Sequence, residues 1–172
     1  MKYIEKLLSN DKYKNDLDTL CALEANRVFC KHDKTHFKNV SLIARVLNQE
    51  NSLRISEDVI DLCAYLHDMG RLAEYSGVEN HHKASYNYAL DIMNEIEVPK
   101  DMQNQVLSGI SHGVKRFDVT ERYDNRHKLL TLNEIISFAD HFSRNCYDCK
   151  ESEGCKWSAK EKIDRNYYGL ED

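Results

Sequence analysis

Residues 59–71 read Val59-Ile60-Asp61-Leu62-Cys63-Ala64-Tyr65-Leu66-His67-Asp68-Met69-Gly70-Arg71. The apolar run is spaced to bury Leu62, Cys63 and Leu66 along one face of a helix. Such a helix carries a histidine and an aspartate to the edge of the core, where a neutral imidazole and a carboxylate both suit a divalent cation. Glu57 and Asp58 follow Ser56 in the first turn, where negative charge complements the helix dipole. Gly70 reads as the terminator.

Working outward, six glycines and one proline in 172 residues leave few tight turns. Long helices with short connections are favoured, and the fold expected is an all-α bundle of about six to eight helices. With 41% hydrophobic and 31% charged residues the composition is that of a globular chain, against disorder. No repeat or low-complexity linker divides it, so a single domain spans 1–172, with 146–172 as a Cys-rich C-terminal extension packed on it.

A helix is predicted over 13–31 through Leu17, Leu20, Leu23, Ala25 and Val28, and another over 35–48 through Val40, Ile43, Ala44 and Leu47. His36 precedes Val40 by one turn, about 5–6 Å away on the same face. A helix from about His81 to Ile96 carries Ser85, Tyr88, Ala89 and Ile92, and Pro99 opens one that carries Met102, Val106 and Ile110 towards His112. The polar stretch Lys115–Lys128 reads as a loop. Thr131-Leu132-Asn133-Glu134 matches a capping box opening a helix through Ile135, Ile136, Ala139 and Phe142, which brings Asp140 inside or to its edge. Ser158-Ala159-Lys160-Glu161 repeats the capping signal for a last short helix.

A net charge of −5 argues against a broad surface for duplex nucleic acid and leaves room for a local basic pocket that holds one phosphate. Met1-Lys2-Tyr3-Ile4-Glu5-Lys6 is too polar for a signal peptide and no apolar stretch is long enough for a membrane span, so the cytoplasm is the expected compartment. A homodimer is compatible with the sequence. Without a secretory signal, six cysteines read as free thiols or metal ligands. Cys21, Cys30 and Cys63 sit singly in helical patterns, as small core residues do, whereas Cys146, Cys149 and Cys155 cluster within ten positions. Two thiolates two residues apart grip one ion and a third adds a ligand, as in a zinc knuckle or an iron–sulfur site. His141, Asp148, Cys30 or another chain would complete the set. Trp157 is expected to anchor this segment to the core.

His36, His67-Asp68 and Asp140 come from three helices, each near an apolar stripe, so packing those stripes together brings two imidazoles and two carboxylates to one point. Asp33-Lys34-Thr35-His36, then Val40 and Ala44, then His67-Asp68-Met69-Gly70-Arg71, then Ala139-Asp140, resemble the ordered H…HD…D signature of the HD-domain metal-dependent phosphohydrolases. The resemblance covers roughly residues 20–145. It implies that His36, His67, Asp68 and Asp140 hold a catalytic divalent metal (Fe, Mn, Co, Ni or Zn). His81 with Ser85, and Ile110-Ser111-His112, resemble the further ligands of the six-ligand subgroup, which implies two ions bridged by Asp68; His82 competes with His81 for that role. Cys-rich tails also occur in some HD proteins of anaerobic bacteria. Arg71 is a candidate catalytic residue that would hold a phosphate oxygen bidentately.

The expected activity is hydrolysis of a phosphate ester or anhydride in a nucleotide or related small metabolite, by water that the metal activates and Asp68 orients. The alternatives are an HD-fold nucleotide, metal or redox sensor without hydrolase activity, and a di-iron HD oxygenase. His32, His127 and His141 fit no pattern, and His141, next to Asp140, should face solvent.

Overall fold

The structure, a computed structural model, describes residues 2–78, 80–111 and 119–163. All regular structure among them is helical: α1 (Lys2–Ser9), α2 (Asp11–Leu23), α3 (Lys34–Glu50), α4 (Glu57–Leu66), α5 (Arg71–Tyr75), α6 (His81–Glu95), α7 (Lys100–Ile110), α8 (Val119–Asp124) and α9 (Leu132–Phe142). Single 3-10 turns lie at Arg126–Lys128, Cys146–Asp148 and Ala159–Glu161.

The apolar run of α4 is explained by its place. It touches α1, α3, α6, α7 and α9, and Val59, Ile60, Leu62, Cys63, Ala64 and Leu66 are all buried. Asp61 is buried with them and accepts from Ser41 Oγ at 2.6 Å and Arg45 Nε at 2.9 Å, which offsets the cost of enclosing its charge. The Asp58 carboxylate, beyond its place in the first turn of α4, accepts from the Lys2 and Tyr3 N–H groups and so starts α1, which the sequence reading had not predicted.

Side-chain caps fix where the helices begin, and hence which way their residues face. Asp33 accepts from the His36 N–H at 2.9 Å to start α3. Thr131 and Glu134 form the expected capping box of α9. α3 packs against α4 and α9, and α7 against α4 and α9, so the end of α4, the first turn of α3 and the last turn of α9 meet at one place.

Three expectations are corrected. The helix predicted over 13–31 stops at Leu23, because Glu24 turns inward to cap the His32 backbone and the apolar letters beyond do not find the core: Val28 is 59% exposed. Part of the expected 115–128 loop is helical, as α8 and the Arg126–Lys128 turn, while 115–118 lie outside the described residues. Gly70 is not a left-handed terminator; its φ is −65° and it leads directly into α5. A glycine is required there by close approach, since a Cβ would lie 2.2 Å from the His81 carbonyl oxygen and the Ser85 nitrogen.

Candidate metal centre

α4 ends at Leu66 and leaves His67 at its C-cap, with Asp68 following. α3 contributes His36 from its first turn and α9 contributes Asp140. One ligand atom from each of His36, His67, Asp68 and Asp140 lies within 4.8 Å of all the others. His36 Nε2 is 3.3 Å from Asp140 Oδ1, and His67 Nε2 is 3.5 Å from Asp68 Oδ2 and 3.7 Å from Asp140 Oδ1.

The tautomers follow from the hydrogen bonds on the far side of each ring. Ser143 Oγ donates to the Asp140 carbonyl at 2.8 Å, so it accepts from His36 Nδ1–H at 3.1 Å. His67 Nδ1–H donates to the Ala64 carbonyl at 2.8 Å. Both Nε2 atoms are buried with no hydrogen-bond partner. Two lone pairs facing two carboxylates, with no donor between them, are the arrangement a divalent cation completes.

Burial pushes the His36 imidazole down, and Asp140 offsets this only in part. Burial alone would also lower His67, but the charges of Asp68 and Asp140 outweigh it and raise its pKa. For Asp68, burial is overcome by the charges of His67 and Arg71, which hold it well below the usual carboxylate range. Asp140 is held down likewise, against burial, by Arg144 and the two imidazoles. Both carboxylates are therefore ionised at neutral pH.

A cavity of about 410 Å³ opens beside the group, lined by His67, Asp68 and Asp140. That is the size of a small-molecule site, where pockets run to about 300–1,000 Å³. Arg71 lines it, its Nε 3.5 Å from Asp68 Oδ1 and otherwise unpartnered, while Nη1 donates to Glu74 at 3.0 Å. Arg27, Arg144, Lys156 and Lys162 add positive charge to the wall. His81 and His82 both line the cavity with ring centroids 4.0 Å apart; His81 is half-buried and His82 exposed. Partial burial and the charge of Arg71 lower His81 and keep its imidazole neutral. His112 lies outside the described residues.

Cys146, Cys149 and Cys155 line the same cavity as free thiols. Cys30 joins them; it lies in the loop before α3, not in a helix, which corrects its reading as a helical core residue. Cys63 is fully buried as expected. The Trp157 ring stands edge-on to His141 at 4.7 Å and holds the Arg144 guanidinium near its face, so it does anchor this segment.

His141 does not face solvent. It is 3% exposed, and its Nε2–H donates to the Glu161 carbonyl at 2.7 Å, because the chain after Asp140 folds back over α9. Arg144 was missed; one turn after Asp140, it donates to Asp140 Oδ1 at 2.5 Å, and that i,i+4 spacing was the available signal. His32 was missed as well, and is fully enclosed: Nδ1 is 2.8 Å from Glu24 Oε1 and Nε2 is 3.3 Å from Asp68 Oδ2. Burial would raise the Glu24 carboxyl, but its hydrogen bonds with His32 hold it down at about 2. No spacing rule signals His32, since it precedes the cap of α3 and its position depends on the path of a loop.

Comparison with known proteins agrees with this geometry. The HD domain family model matches residues 34–145, more than half of the chain, and the protein belongs to that family. An uncharacterized protein of Clostridium beijerinckii is 27% identical over 168 residues, covering 97% of this chain and 93% of its own. No solved structure matches the chain significantly. Among the described residues no helix is long and apolar enough to cross a membrane.

Proposed function

We propose that this HD domain is a metal-dependent phosphohydrolase that cleaves a phosphate ester or anhydride in a nucleotide or related small metabolite. The observation that carries the reading is the convergence of His36, His67, Asp68 and Asp140, the last three of which line a cavity whose other charged groups are mostly basic. These four residues would hold the metal, and His81 and His112 would add ligands for a second ion, with Asp68 shared. A bound cation of this kind acidifies its water, to a pKa of about 7 in favourable zinc cases, and takes up charge on phosphoryl oxygens.

The protein's own groups supply the rest. Arg71 presents an unpartnered Nε beside Asp68, and its planar guanidinium holds phosphate oxygens in fixed orientation. Asp68, ionised and of depressed pKa, is a weak base; it orients the attacking water by accepting its hydrogen bond and leaves proton uptake to other groups. The mixed apolar and basic walls suit a small phosphorylated ligand.

One further reading is that Cys146, Cys149 and Cys155, with Cys30 as fourth member, would bind a structural zinc or an iron–sulfur cluster after drawing together, and the fold would then serve as a redox or metal sensor; the four thiols share one cavity, but among the described residues only His36, His67, Asp68 and Asp140 have ligand atoms within 4.8 Å of one another. Anaerobically purified protein, analysed for metals and acid-labile sulfide and assayed for phosphate release from nucleotides and simple phosphate esters with each divalent metal, separates these functions. Phosphate release supports the hydrolase. An occupied centre that hydrolyses none of them supports the sensor, and oxygen consumption by an iron-loaded protein supports the oxygenase.

A further inference from the structure

The centre contains a third imidazole with the same arrangement as the two family ligands. His36, His67 and His32 each turn Nδ1 outward to a fixed acceptor: Ser143 Oγ at 3.1 Å, the Ala64 carbonyl at 2.8 Å and Glu24 Oε1 at 2.8 Å. Each leaves a buried Nε2 with no hydrogen-bond partner. Each Nε2 also stands beside a carboxylate of the centre; Asp68 Oδ2 is 3.3 Å from that of His32 and 3.5 Å from that of His67. The His32 and His36 rings meet edge-on, 5.6 Å between centroids.

We propose that His32 is an additional metal ligand, oriented by Glu24 and acting through Nε2 on a cation that it shares with Asp68. The proposal rests on the reading of the centre as a metal site and extends it beyond the matched family segment, which begins at residue 34. His32 lies outside the set of mutually close atoms, on the flank of Asp68.

The setting of Glu24 is what a ligand histidine requires. Its Oε2 accepts the His32 backbone N–H at 2.7 Å, while Oε1 accepts Nδ1–H and, at 3.0 Å, the Tyr75 hydroxyl. The residue is 1% exposed and fixes the ring, its tautomer and the loop at once. A carboxylate bonded to the far nitrogen also makes the near one a stronger donor to metal. The rival account is an imidazolium that merely bridges two carboxylates. It requires an Nε2–H donated to Asp68, yet that nitrogen forms no hydrogen bond despite lying 3.3 Å from Oδ2.

The test is a Co²⁺ titration of the metal-free full-length protein, followed by visible absorption and by metal analysis. His32→Gln retains an amide donor for Glu24 and removes the imidazole. It should bind Co²⁺ at least about tenfold more weakly in one equivalent, or lose that equivalent, with an altered visible spectrum. Glu24→Gln should shift affinity the same way, within the roughly 10- to 100-fold that partners of ligand histidines contribute. Exposed His127→Ala should leave binding unchanged. His32→Gln binding like wild type while His36→Ala loses Co²⁺ overturns the proposal and spares the metal reading; wild-type binding by both variants overturns the two together. A measurement on the wild-type protein removes dependence on how the variants fold: in ¹⁵N-histidine spectra recorded with and without Zn²⁺, Nε2 of His32 should move to a metal-bound shift with those of His36 and His67, and movement of the latter two alone overturns the proposal.

Discussion

The Gly70 N–H donates to Ser85 Oγ at 2.9 Å, which ties the segment after His67-Asp68 directly to the second turn of α6. The backbones approach so closely that neither residue has room to grow. Gly70 has no space for a Cβ, and Ser85 is fully buried. Through this contact the His67-Asp68 end of α4 and the α6 helix that presents His81 are built as one unit.

Gly70→Ala should therefore destabilise the protein although its φ suits alanine. Overpacking costs typically about 1–3 kcal/mol, and a Cβ facing backbone atoms has no flexible neighbour to displace. Urea denaturation should give a lower midpoint, and Co²⁺ affinity should fall with it. A variant as stable as wild type would show that the two backbones separate freely.

Metal should stabilise the folded protein, because its ligands come together only in that state. Saturation at a hundredfold excess over Kd contributes about 2.7 kcal/mol, so a chelator should lower Tm and added metal restore it. Protons compete for the same nitrogens. The raised pKa of His67 means that affinity should fall as pH drops through its range and recover as pH rises. Asp68→Ala should abolish metal binding and activity, whereas His112→Ala should lower stoichiometry and leave one ion; unchanged metal content in both would sink the ligand assignment.

Arg71→Ala should weaken substrate binding while metal content stays constant. Hydrogen bonds to charged groups contribute about 1.5–3 kcal/mol, so KM should rise roughly tenfold or more. Arg71→Lys should recover only part of this, since a point charge replaces a planar fork. Equal KM values in all three proteins would remove Arg71 from the substrate site.

His141→Ala removes the Nε2–H donor to the Glu161 carbonyl and the ring that stands edge-on to Trp157. The C-terminal segment should loosen, at a cost of about 1–3 kcal/mol. Limited trypsin digestion should cut sooner at exposed Lys156 and Lys160, with helix content by circular dichroism nearly unchanged. Cleavage at the wild-type rate would show that other contacts hold the segment.

Most of the centre was legible because its geometry is local. Asp33 and the Thr131–Glu134 box set where α3 and α9 begin, and helical periodicity then sets the facing of His36 and Asp140 relative to their apolar neighbours. The failures lie where periodicity carries no information. Leu23 and Val28 extend an apolar stripe on paper, yet the helix ends at Leu23 because Glu24 has a buried partner eight residues on. α1 and α5 are short helices whose apolar positions, Ile4, Leu7 and Leu72, gain meaning only against α4 and its neighbours.

The sequence by itself determined the helical class, the central place of α4 and the convergence of His36, His67, Asp68 and Asp140, since apolar spacing within each helix and caps within a few positions set which way these residues face. Only the tertiary structure decided that His32 Nε2 lies beside Asp68, that His141 is buried, and that Cys30 lines the same cavity as the other thiols. These side chains are placed by contacts between distant parts of the chain: Tyr75 reaching Glu24, Glu161 reaching His141, α6 closing on Gly70. A loop's path depends on what it packs against, and no local periodicity encodes that.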